Sequence, residues 1–188
     1  MDAVYPAGGI SGLRPGCGTL AFMSQANPIR LFVTHGWEDS DDYSRLFEYI
    51  ESARNFFYLN TSKLDNPPSG GTEAIREELR RQINQAEIVI ALPDLYAKQP
   101  DLTIFQMNYA QSQKKPVLLL RYFGTSTELP KLLLDRASEV VNWDERGLVD
   151  AVRRLARSEN TARFDTVEFN PDDFKDFKID RRGRVSQR

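Results

Sequence analysis

Short apolar runs alternating with longer amphipathic stretches are the feature that most limits what this chain can fold into. The clearest run is 87–92, Glu-Ile-Val-Ile-Ala-Leu. Its length and β-branched content fit a strand buried on both faces. It follows directly on a helical stretch running from Thr72 to Ala86. There Ile75, Leu79, Ile83 and Ala86 recur at helical spacing, opposite Arg76, Glu77, Arg80 and Arg81. Comparable apolar runs occupy 29–34, 55–60, 115–121 and 139–142. A helix capped by Ser40 or Asp41 carries Tyr43, Leu46, Phe47, Ile50 and Ala53 on one face. Further helices are expected over 101–113, over 131–134, and from Asp144 or Glu145 through Leu148, Ala151, Val152 and Leu155. Residues 61–72 and 93–100 read as loops, the first dense in Pro, Gly, Ser and Asn.

Strands alternating with helices of this length favour right-handed crossovers and a parallel sheet covered on both sides. The expectation is an α/β, flavodoxin-like domain over about 29–157, with five parallel strands and helices on both faces. In such sheets ligands bind beyond the carboxyl ends of the strands. That rule selects the loops 35–40, 61–72 and 93–105, joined by the residues from Gly124.

Residues 1–28 differ in character, with Gly8, Gly9, Gly12, Gly16 and Gly18 among Pro6, Pro15 and Pro28. They read either as a disordered tail or as sequence upstream of a start at Met23. Residues 158–188 read as a C-terminal tail. The aromatic residues of its first part, Phe164 and Phe169, are expected to pack on the domain, and Arg181 to Arg184 to be solvated.

Charge and composition exclude several classes. A formal net charge of −2 gives no general electrostatic case for nucleic acid. The longest apolar runs are far too short to span a bilayer. A single cysteine, Cys17, rules out an internal disulfide and fits a cytoplasmic setting. With one histidine, His35, any Ser-His-Asp or multi-histidine site depends on that residue. No Walker loop, dinucleotide-binding glycine fingerprint or nucleophile elbow is present. Asp39, Asp41 and Asp42 stand where a helix begins and read as caps rather than Mg²⁺ ligands.

Several segments carry a family resemblance in order. These are Phe32-Val-Thr-His-Gly-Trp37, the helix-into-strand unit 79–90, and Tyr96 with the segment behind it. Lys114-Lys-Pro116 and its strand, Val141-Asn-Trp-Asp144 and the helix after it, and the stretch 163–169 complete the set. Over about 29–170 the chain resembles the bacterial and archaeal TIR-like family related to the Thoeris antiphage TIR proteins. The resemblance implies cleavage or cyclisation of NAD⁺, a hydrolase activity in antiviral defence. NAD⁺ would be the substrate, with no separate cofactor and no metal. It also implies self-association and a defence effector as partner.

The chemistry needs a carboxylate beside the ribose, where it stabilises an oxocarbenium-like transition state. The family's glutamate aligns with Gln106, ten residues after Tyr96. An amide keeps the shape and can hydrogen-bond a ribose hydroxyl, but it supplies no negative charge. The chain is therefore either an enzyme with an altered centre or a binding and interaction module on the same scaffold. A glutamine placed deliberately to trap a substrate would read the same way. Asp94, at a strand end, is a carboxylate that could face the pocket instead. Asp101, five residues before Gln106, points elsewhere unless 100–101 is still loop, and both read more simply as caps or loop residues. The remaining substrate-binding candidates are His35, Gly36, Trp37, Ser62, Lys63 and Tyr96. Each has a plainer alternative. His35 could order its loop, Trp37 pack on the first helix, Ser62 and Lys63 form surface loop, and Tyr96 sit beneath a helix.

Overall fold

The structure, a computed structural model, describes residues 25–38, 40–159, 177–179 and 185–187. In order, the chain forms β1 (Ile29–Val33), α1 (Asp41–Ser52), β2 (Tyr58–Asn60), α2 (Gly71–Gln85) and β3 (Ile88–Ala91). Next come α3 (Pro93–Lys98), α4 (Pro100–Ser112), β4 (Val117–Leu120), α5 (Lys131–Leu134), β5 (Glu139–Val141) and α6 (Glu145–Arg157). A separate antiparallel pair, β6 (Phe177–Ile179) with β7 (Val185–Gln187), lies near the C-terminus. The expected readings of residues 1–24, Asp39, 160–176 and 180–184 lie outside the described residues.

Strands β1 to β5 form one all-parallel sheet in the order β2-β1-β3-β4-β5. This is the α/β, flavodoxin-like architecture expected from the alternating pattern. Strict side-chain alternation splits the core in two. Ile29, Leu31, Val33, Ile88, Ile90, Leu118 and Leu120 face α1 and α6. Phe32, Val89, Ala91, Val117 and Leu119 face α2, α4 and α5. Strands β3 and β4 are buried at every position, which is why they read as continuous apolar runs.

Two segments depart from the sequence reading. Residues 93–98 form helix α3 where a loop was expected. Pro93 and Pro100 each occupy the first turn of a helix, where the missing N–H costs nothing, so they start α3 and α4. The second strand begins at Tyr58, not at Asn55. Asn55 adopts a left-handed φ of 60° and turns the chain.

At the amino-terminal edge of the sheet, Arg157 closes the domain. Its guanidinium pairs with Glu87 through Nε (2.7 Å) and Nη2 (3.1 Å). It also donates to the carbonyls of Asn27 (2.9 Å) and Pro28 (2.8 Å). The end of α6 is thus fastened to the residues that lead into β1.

Candidate functional site

Beyond Val33 the first strand gives way to a loop that crosses the top of the sheet. The Thr34 N–H donates to the Ile90 carbonyl, and Thr34 Oγ1 accepts from the Leu92 N–H at 3.0 Å. One side chain thereby extends the β1–β3 pairing past the end of the ladder. A cleft opens where the strand order reverses between β1 and β3, the position the fold favours for ligands. Thr34, His35, Gly36, Glu38 and Ser40 line one side, with Tyr43, Asp94, Leu95 and Lys98 around them. Its empty space, including the part open to solvent, is about 310 Å³. The enclosed part, about 20 Å³, has room for about one water, so the cleft as it stands is far smaller than a ligand pocket.

Two carboxylates line this cleft, Glu38 and Asp94, and Asp94 is the one held by hydrogen bonds from Ser40 and Leu95. The Ser40 hydroxyl donates to its Oδ2, and the Leu95 N–H donates to Oδ1 at 2.7 Å. Ser40 also caps α1, accepting from the Tyr43 N–H. Asp42 lies close enough to feel Asp94. Burial, then the Asp94 charge, pushes the Asp42 carboxyl up from its ordinary value, and its Arg45 partner at 2.8 Å opposes the shift. Among the described residues no cluster of His, Cys, Asp or Glu is arranged to hold a metal ion.

His35 sits deeper, held by two glutamines. Gln82 on α2 is buried, and its orientation is fixed by its partners. Its Nε2 donates to Glu78 (2.8 Å) and to the Lys63 carbonyl (3.4 Å). Its Oε1 therefore accepts, from the Lys63 N–H (3.0 Å) and from His35 Nε2 (2.9 Å). This sets the tautomer: Nε2 carries the proton and Nδ1 keeps the lone pair. Burial is the main cause of a lowered His35 pKa, with the Gln82 hydrogen bond and the Glu78 charge working against it. The ring is neutral at pH 7 and packs against Phe32 and edge-on to Trp37.

Gln106 holds the same residue by its main chain. It is fully buried on α4. Its Oε1 accepts from the His35 N–H at 3.1 Å. Its Nε2 donates to the His35 carbonyl at 3.0 Å and to the Leu102 carbonyl at 3.2 Å. The amide answers one residue's N–H and carbonyl with an acceptor and a donor, as a neighbouring strand would. It does not line the cleft.

The other sequence candidates divide. His35 and Gly36 line the cleft together with Asp94. Ser62 Oγ accepts from the Val33 N–H (2.7 Å) and donates to the Val33 carbonyl (3.0 Å), splicing the β2–α2 loop to β1. Lys63 is exposed, and its main chain is tied to Gln82. Tyr96 packs on the core beneath α4. Trp37, at a left-handed φ of 60°, packs on the same side rather than on α1. Asp101 is exposed on α4. Gln82 escaped the sequence reading, and Ser40 was read as the α1 cap but not as a partner of Asp94. A glutamine three residues after Leu79, on the buried stripe of α2, is the signal that could have found the first.

Comparison with protein-family models finds none that matches this chain. Comparison with characterised proteins finds no significant match.

Proposed function

We propose that the chain is a TIR-like domain of prokaryotic antiphage signalling that binds NAD⁺ or a related ADP-ribose nucleotide without cleaving it. One observation carries the second half of this reading. The position that the resemblance gives to the catalytic glutamate holds Gln106, and all of its amide groups are engaged inside the protein. An amide so committed contributes no charge to an oxocarbenium-like transition state. The first half rests on the resemblance; the cleft at the β1–β3 crossing marks where a nucleotide would enter, and it must widen to take one.

The test is calorimetry with ADP-ribose and NAD⁺, beside an NAD⁺-consumption assay. Binding without turnover is expected. Absence of binding at millimolar ligand defeats the nucleotide reading, and turnover by the unaltered chain defeats the claim of inactivity.

A second reading, a self-association module, is favoured by Phe57 and Leu59. Both are exposed beside or within the edge strand β2. Light scattering over a concentration series decides it; a monomer throughout, with and without nucleotide, removes this reading.

A further inference from the structure

Among the described residues, two buried polar atoms beside the cleft have no partner: His35 Nδ1 and Trp37 Nε1. Buried polar groups are nearly always paired, so two unpaired ones on adjacent rings call for a physical reason. The rings meet edge-on with centroids 4.9 Å apart. They are chemically opposite. Gln82 takes the proton-bearing Nε2 of His35, which leaves Nδ1 an acceptor. The indole Nε1–H can only donate.

His35 cannot turn to satisfy itself. Gln82 holds its ring, and Gln106 holds both its N–H and its carbonyl. Any adjustment must therefore begin after His35. Gly36 comes next and lines the cleft. Trp37 follows in a left-handed conformation that is costly for a bulky L residue. The amide of Gln99 lies over Gly36, where a Cβ would come within 2.7 Å of its Oε1. That amide is the end of a flexible side chain, joined to Glu38 by one long hydrogen bond of 3.5 Å.

We propose that His35 Nδ1 and Trp37 Nε1 form a hydroxyl-reading site, opened from the cleft when Trp37 pivots at Gly36. One hydroxyl completes both atoms, donating to Nδ1 and accepting from the indole N–H. Carboxylates and phosphodiesters only accept, and ammonium groups only donate, so neither completes the pair; a primary amide offers both, and the probes used below carry none. The ligand is a neutral polyhydroxyl group such as a sugar ring. This deepens the nucleotide-binding reading, on which it rests for its choice of probe, by naming the group that is read.

The experiment uses the full chain with Trp143→Phe. Trp143 packs on Tyr49 and Phe123 away from the pair, and its replacement leaves Trp37 as the only tryptophan. The variant is titrated with adenosine and with 2′,3′-dideoxyadenosine, following emission. In parallel, ¹⁵N spectra follow His35, the only histidine. Adenosine should shift the emission saturably and move the Nδ1 resonance. The dideoxynucleoside should bind at least tenfold more weakly. The two share a 5′-hydroxyl and differ in the ring hydroxyls that the site is proposed to read, so equal binding overturns that site and leaves nucleotide binding standing. Saturation by adenosine with Nδ1 unmoved overturns it too, leaving water as the partner of the pair. If neither nucleoside produces a saturable change, the site is refuted, and calorimetry with ADP-ribose decides separately whether the nucleotide reading falls as well.

Discussion

Replacing Gln106 with glutamate supplies the carboxylate that the TIR-like resemblance calls for, and the hydrogen bonding around it says that the change should damage the protein instead. The change is nearly isosteric, so packing is not at issue. What changes is hydrogen bonding. Nε2 now donates to the carbonyls of His35 and Leu102, and a carboxylate would turn an acceptor towards both. Losing the donor to a buried carbonyl costs about 1–3 kcal/mol. An ionised carboxylate among buried acceptors adds desolvation and repulsion. A total of about 3–5 kcal/mol is expected at pH 8, a fall in Tm on the order of 10 °C for a domain of this size. The sign with pH follows. Burial would raise the introduced carboxyl above its unfolded value of about 4.3. The ionisation penalty is then absent at low pH and grows as pH rises above the unfolded value. Thermal unfolding followed by circular dichroism at pH 5 and pH 8 should show the gap to the unaltered chain widening with pH. A Gln106→Glu variant within about 2 °C of the unaltered chain at pH 8, consuming NAD⁺, would refute the account of Gln106 as an internal clasp.

Arg157→Ala should lower stability by about 2–4 kcal/mol, since it strips two carbonyls of their donor and leaves Glu87 only its Arg30 partner at 3.2 Å; urea unfolding measures it. Burial pushes the Glu87 carboxyl up, but Arg157 and, less, Arg30 together hold it below its ordinary value, so their stabilisation is present above about pH 4.3 and lost as pH falls through the folded pKa. The gap between the Arg157→Ala and unaltered proteins should therefore narrow in acid without closing, since the bonds to the Asn27 and Pro28 carbonyls do not titrate. His35 should titrate with a midpoint below 6.5 in a histidine NMR experiment, and its contribution to stability should decline as pH falls below that value. Lys114→Gly should stabilise by about 1 kcal/mol, raising Tm by about 2–4 °C. Lys114 sits at φ 56° just past α4, where the Lys114 and Lys115 N–H groups close the helix on Gln111 and Ala110, a position that favours glycine.

The layered core was legible because each strand and helix carries its own period. Ile29, Leu31 and Val33 against Phe32 is a two-residue alternation, and Leu79 with Ile83 is a helical one. α3 was hidden because a helix of one or two turns bounded by prolines has no room to display a period. Of the candidate site residues, three line the cleft, while Gln106, Trp37, Ser62, Lys63 and Tyr96 do not. The rule of strand carboxyl ends put His35, Gly36 and Asp94 around one cleft, as the geometry has them. The clasps were not readable, because they depend on distant partners. Gln82 meets Lys63 across 19 positions and Gln106 meets His35 across 71. A glutamine among Thr103, Met107 and Ala110 signals buried hydrogen bonding, yet the sequence does not say with whom.

The bond network of Arg157 has a practical reach beyond stability. By gripping Asn27 and Pro28, it brings the entry and exit of the domain to the same end, opposite the carboxyl ends of the strands. Anything appended at either point starts from the side remote from the cleft. A partner domain or tag could be attached at both points at once without crowding the cleft. A permuted chain joining residue 157 to 27 by a short linker would keep the sheet order intact.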